Sequence, residues 1–140
     1  MEENKKDDEV LAHLPERIRT NVYKNLHLKK DHPIEIVKNM IYKFFMKHEI
    51  LSKNLRIYEE LDPKVSVKDN FGSLLIPKDH PSRSKNDTYY IDEKTVLRTH
   101  TTAHQNMLLK KGETAFLVTE PVFRRDKIDK NHHSIFSSNG

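Results

Sequence analysis

Cysteine is missing from this 140-residue chain altogether, which removes disulfides, thiolate zinc centres and cysteine nucleophiles from consideration. Glycine is nearly as scarce. The three present, Gly72, Gly112 and Gly140, cannot be spaced as a P-loop, a Rossmann fingerprint or the elbow that carries a hydrolase serine. A nucleotide bound here must therefore have its phosphates held by side chains, and arginine, whose planar fork matches phosphate oxygens, is the natural donor. No apolar run approaches the roughly 18 residues that span a bilayer, so a soluble chain with no membrane partner is expected. With 35% hydrophobic residues and a mean hydropathy of −0.81, the core of a single domain, or a piece of one, will be lean.

Charge adds little. The 25 Lys and Arg against 21 Asp and Glu leave +4, spread along the chain, a weak footprint for a polyanionic partner. The start, residues 1–9, is richer in acids than in lysines, the reverse of an arginine-rich transit peptide, and residues 1–13 are expected to form a disordered leader.

The hydrophobic period then places elements. Leu14, Ile18, Val22 and Leu26 lie on one helical face, with Pro15 near the first turn where its missing N–H is harmless. Asp31 or His32 can cap a second helix that opens on Pro33 and carries Ile34, Val37, Ile41 and Phe44 in one stripe. From Leu55 the period shortens: Leu55, Ile57, Val65 and Val67 alternate around the turn-forming Asp62-Pro63. Residues 88–91 and 95–98 read as a β-hairpin. Thr101 or Thr102 can cap a helix over residues 103–111 ended by Gly112, and residues 114–119 and 121–126 read as two further strands. The order of helices followed by strands with one inserted helix points to an α+β fold with an antiparallel sheet.

Two constellations carry chemistry. Alternation puts Arg124 and Asp126 on one face, where a cation and an acceptor can hold a phosphate and a neighbouring amino group; the same spacing also suits a cross-strand salt bridge. His100, Thr102 and Gln105 stand where a strand turns into a helix, a place that gathers ligand-facing polar groups or merely caps the helix. His100 and His104 are four apart and His132-His133 follow, but no carboxylate has ligand spacing, so no metal site is expected. Phe71, Tyr89, Tyr90, Phe123 and Phe136 are expected in the core, and the Ile34–Phe45 stripe in the core or an interface.

Taken in order, Asn70-Phe71, Pro77-x-x-His80-Pro81-x-Arg83, Asp87-Thr88-Tyr89-Tyr90, Leu97-Arg98-Thr99-His100-Thr101 and Val122-Phe123-Arg124-Arg125-Asp126-x-x-Asp129-x-x-His132 resemble phenylalanyl-tRNA synthetases, most of all the single-chain organellar type. The resemblance covers residues 15–136. It implies a class II synthetase catalytic fold, an antiparallel sheet flanked by helices, here cut within the second class-defining motif. The Pro33 helix is similar to the first such motif. Also by resemblance, Arg124 serves as the catalytic arginine on the ATP α-phosphate and the amino-acid carboxylate. Asp126 would sit near adenine or the amino group, His132 near the outer phosphates, and His100, Thr102 and Gln105 at the phenylalanine end. Phenylalanine, ATP with Mg²⁺, and tRNA-Phe are the implied substrates, a mitochondrial matrix location is implied, and the organellar type suggests a monomer.

The sequence departs from the family at Ser137-Ser138-Asn139-Gly140, where a His-Gln-x-Glu strand is usual, and the third motif and an anticodon-binding module are not found. The 140-residue chain is accordingly expected to be marginally stable and inactive as a ligase. The competing expectation is a non-catalytic synthetase-like protein that binds RNA or another chain.

Overall fold

A computed structural model describes residues 8–126. Helix α1 (Glu16–Val22) follows Pro15, and its inner residues Ile18 and Val22 are buried. Together with Leu11 and Leu14 they pack on Tyr89, Leu97 and Phe123 to make the main core cluster. Each such side chain stabilises the fold by about 1.5–3 kcal/mol when fully buried. The core thus begins at Leu11, inside the stretch expected as a disordered leader, of which residues 1–7 lie outside the described residues.

Helix α2 (Pro33–Met46) is capped by His32, whose ring accepts the Ile34 N–H, with Pro33 in the first turn. His80 and Pro81 repeat the device at a short 3₁₀ turn, where the His80 ring accepts the Ser82 N–H. Asp31-His32-Pro33 and Asp79-His80-Pro81 are therefore both local caps, and the histidine rather than the aspartate supplies the acceptor.

The orientation of α2 runs against its composition. Its polar residues face the body: Lys38 Nζ meets Glu59 Oε1 at 2.7 Å, and the Tyr42 and Thr119 hydroxyls are hydrogen-bonded to each other at 2.7 Å. Burial pushes the Tyr42 phenol up to about 12, although the Thr119 bond pulls the other way. Burial would also raise Glu59, but hydrogen bonds from Lys38 and Tyr42 outweigh it and hold that carboxyl below its usual range. The apolar stripe faces outward, with Val37 56% and Met40 66% exposed. Among the described residues nothing covers it.

Helix α3 (Glu49–Ser52) is a single turn, absent from the sequence-based expectation. It leads into β1 (Leu55–Tyr58), which pairs in parallel with β4 (Ala115–Val118), Leu55 opposite Ala115. β2 (Lys64–Ser66) pairs antiparallel with β3 (Thr95–Leu97), Val65 opposite Val96. The fold is mixed α+β as expected, but among the described residues one antiparallel sheet is replaced by two two-stranded ladders, one of them parallel. A parallel pair needs a crossover, and everything from β2 to the helix before β4 supplies it.

Two further expectations change. Residues 121–126 pair in no ladder with other described residues: Pro121 has no N–H to give, and the Phe123 and Arg125 N–H groups go to Arg98 O and Asp87 O on different segments. The helix expected over residues 103–111 is a 3₁₀ turn (Thr101–His104) followed by α5 (Gln105–Lys110). Neither Thr101 nor Thr102 caps it. Gly112 closes α5 at φ 87°, the left-handed backbone that favours glycine. The hairpin is present, with an antiparallel bridge between Tyr90 and Val96.

Helix α4 (Val67–Asn70) is nucleated by Ser66, whose Oγ accepts the Asp69 N–H at 3.0 Å and donates to the Asp69 carboxylate at 2.8 Å. This cap turns the chain back against β3 and the 3₁₀ turn. Asn70 is thereby delivered, fully buried, beside Thr99.

Candidate functional site

Behind the site lies a buried arginine. Arg98, 1% exposed, donates from Nε to Pro121 O at 2.7 Å, from Nη1 to Leu61 O at 3.0 Å, Asp62 O at 3.2 Å and His104 Nε2 at 3.0 Å, and from Nη2 to Glu120 Oε2 at 3.0 Å. Its own carbonyl accepts the Phe123 N–H at 2.9 Å. One residue therefore ties the β1–β2 connection, the end of β4 and the 3₁₀ turn together. Glu120 also accepts the Leu61 N–H at 2.5 Å. Burial raises the Glu120 carboxyl above its usual value even though Leu61 and Arg98 pull it down. The pair is thus held in place by its geometry while desolvation works against its charge.

Past Arg98 the chain enters the cleft. Asn70 clasps Thr99: its Nδ2 donates to Thr99 Oγ1 at 3.0 Å and its Oδ1 accepts the Thr99 N–H at 3.1 Å. The Thr99 carbonyl in turn accepts Arg124 Nε at 3.1 Å. Next in sequence, His100 has a buried Nε2 with no hydrogen-bond partner, while its Nδ1 is hydrogen-bonded to Thr102 Oγ1 at 2.6 Å. Burial lowers the His100 pKa, the Asn70 backbone opposes the shift and the Arg124 charge adds to it, so the ring is neutral at physiological pH.

A cleft of about 430 Å³ opens here, its wall including Phe71, Ile76, Asp87, His100, Arg124 and Asp126. Sequence reasoning had set Arg124 and His100 in different segments, and the fold brings them to one cavity. Arg124 keeps its terminal nitrogens free of hydrogen bonds to other described residues, and Asp126 is exposed on the same wall. The alternative expectation, a salt bridge from Arg124 or Asp126, is not found among the described residues. Thr102, itself exposed, reaches the cleft through His100. Gln105 opens α5 as an exposed residue away from the cleft wall, and His132 lies outside the described residues. Among the described residues no three His, Asp or Glu side chains converge as metal ligands.

The profile of the tRNA synthetases class II core domain (F) matches residues 19–139. The chain belongs to the class II tRNA synthetase core-domain family. Within that family it is 46% identical over 131 residues to the chloroplastic/mitochondrial phenylalanine–tRNA ligase of Arabidopsis thaliana, covering 94% of this chain and 30% of that protein. With the mitochondrial phenylalanine–tRNA ligase of Dictyostelium discoideum the identity is 47% over 126 residues, 89% of this chain and 28% of the relative. It is also 43% identical over 109 residues to the phenylalanine–tRNA ligase alpha subunit of Malacoplasma penetrans, 75% of this chain and 30% of that subunit. The chain thus spans about three tenths of the length of these synthetase relatives.

Of the groups that build the cleft and its backing, sequence reasoning singled out Arg124, Asp126, His100 and Thr102 but gave no role to Asn70, Thr99, Arg98 or Glu120. Asn70 carries a legible signal, an amide directly after a Ser-x-x-Asp cap. Arg98 carries none, because its partner Glu120 lies 22 positions on and only the fold joins them.

Proposed function

We propose that this chain forms part of the catalytic domain of a phenylalanine–tRNA ligase of organellar translation, the cleft between His100 and Arg124 being where phenylalanine and ATP meet. The observation that carries this is the convergence of the two groups on one cavity, with a guanidinium whose terminal nitrogens have no hydrogen-bond partner among the described residues. In the activation step a phenylalanine carboxylate oxygen attacks the ATP α-phosphorus as the bond to pyrophosphate breaks. Arg124 spreads the charge that builds on the phosphoryl and carboxylate oxygens, fixed in direction by its bond to Thr99 O. Its role is positional and electrostatic, and no general base is required. The neutral His100, braced by Thr102, offers a hydrogen-bonding Nε2 to the amino-acid end, while Asp126 on the same wall suits an amino group. Mg²⁺ enters with ATP as part of the substrate, and His132 and Gln105 are assigned to the outer phosphates and the phenylalanine end by family resemblance. The adenylate then acylates the terminal ribose of tRNA-Phe. The organellar names of the relatives support a mitochondrial location.

The test is a chimera in which the stretch from Asn70 to Asp126 replaces the matching stretch of the Dictyostelium ligase. Phenylalanine- and ATP-dependent pyrophosphate exchange is expected from the chimera and is lost, by at least a hundredfold, when it carries Arg124→Ala. An inactive chimera that folds, or one indifferent to Arg124→Ala, refutes the assignment.

A further inference from the structure

We infer that Asn70 is a positioning residue for the cleft: its buried amide locks the Thr99 peptide, and through that peptide sets the direction of the Arg124 guanidinium and the placing of the His100 ring. The inference deepens the reading of the cleft as an adenylate-forming site and rests on it for its functional arm only.

The argument is one of hydrogen-bond accounting. Asn70 is 0% exposed and Thr99 7%, so neither can satisfy its polar groups with solvent. Asn70 spends both ends of its amide on Thr99, a two-point grip that fixes position and rotation together. The peptide so gripped presents its carbonyl to Arg124 Nε. The same residue is joined by peptide linkage to His100. Arg124 is otherwise an exposed, rotamer-rich side chain, and the Thr99 carbonyl is the acceptor that holds it. An apolar residue at position 70 would leave the Thr99 N–H buried and unpaired and free the peptide to rotate. Asn70 touches no cleft volume itself, so its influence on ligands must pass through Thr99.

The experiment uses the 140-residue chain with two readouts. The first is NMR solvent exchange of the Arg124 Nε–H, which needs no ligand. The second is titration with a sulfamoyl analogue of phenylalanyl-adenylate. Asn70→Ala is expected to speed Arg124 Nε–H exchange at least tenfold and to weaken the analogue at least tenfold. Asn70→Asp, which keeps the acceptor for the Thr99 N–H, is expected to fall between Asn70→Ala and the parent on both. Lys38→Met, which removes the ion pair to Glu59 and touches no residue of the cleft wall, lowers stability without moving either readout. Unchanged Arg124 exchange in Asn70→Ala, or an equal change in Lys38→Met, overturns the inference. Should Asn70→Ala fail to fold, Asn70→Asp decides alone, and parent-like exchange and affinity in it count against the inference. If neither the parent chain nor the chimera binds the analogue, the reading of the site fails while the exchange result still judges Asn70.

Discussion

Replacing Arg98 by methionine keeps much of the volume and removes the cation, and the structure says what that leaves behind. Glu120, 1% exposed at its side chain, becomes a buried carboxylate without its counter-charge. Breaking a buried pair from one side costs about 3–5 kcal/mol. The carbonyls of Leu61, Asp62 and Pro121 lose a donor as well, each worth about 1–3 kcal/mol where no water or other donor takes over. Protonation of Glu120, already favoured by burial, recovers some of this. A net loss of about 4 kcal/mol is therefore expected, against a total of roughly 5–15 kcal/mol for a domain. At this chain length it corresponds to a fall in Tm on the order of 10–15 °C. Glu120→Gln is the companion variant: it keeps an acceptor for the Leu61 N–H and leaves Arg98 its three carbonyls, so a cost of about 1–2 kcal/mol is expected. Urea unfolding at pH 7 measures both. A cost for Arg98→Met below 1 kcal/mol, or below that of Glu120→Gln, refutes the view that Arg98 is the tie between the three segments.

The His104 ring accepts from Arg98, and burial first, then the Arg98 charge, hold its pKa at about 4 against an ordinary 6.5, with Asp62 and Asp69 opposing. A depressed histidine stabilises the fold fully above pH 6.5 and loses that contribution as pH falls towards 4, so urea midpoints should drop across this window and drop less in His104→Gln. Glu120, raised from 4.5, contributes in the opposite sense, its contribution present below pH 4.5 and lost as pH rises through the raised value, so with the histidine gone the His104→Gln midpoint should hold or rise as pH falls from 6.5 towards 4.5. Leu75 holds a left-handed backbone at φ 59° while 90% exposed, so Leu75→Gly relieves strain without losing packing and should raise stability by about 0.5 kcal/mol; a lower Tm contradicts this. On α2, Val37→Lys with Met40→Lys should leave urea stability within about 0.5 kcal/mol, whereas Lys38→Met on the inner face should be the more costly change; the reverse order would mean that the helix is turned the other way.

Much of the local structure was legible because it depends on near neighbours. Pro15 and Pro33 marked helix starts, the Gly112 stop was read correctly, and the alternation that put Arg124 and Asp126 on one face holds on the cleft wall. Pairing was not legible in the same way. Nothing near Leu55 announces that its partner is Ala115, and the parallel ladder replaced the antiparallel one expected. Thr102 shows a third kind of limit: a hydroxyl placed to cap a helix spends itself on the His100 ring instead, because the 3₁₀ turn brings Nδ1 to 2.6 Å. The outward stripe of α2 inverts the usual rule, since periodicity reports that a helix has two faces but not which one meets the body.

The β1–β4 seam joins positions 55 and 115, sixty places apart along the chain, and every cleft element described here except the stretch carrying Arg124 and Asp126 is strung between them. A ribosome must therefore finish the entire inserted segment before the first rung of that seam can close. Contacts of such long range slow folding. The nascent protein will spend that interval with β1 carrying an unfilled strand edge, an invitation to chaperones and to misassociation alike, and the arginine at position 124 will be drawn against Thr99 only as the last of these pieces emerges.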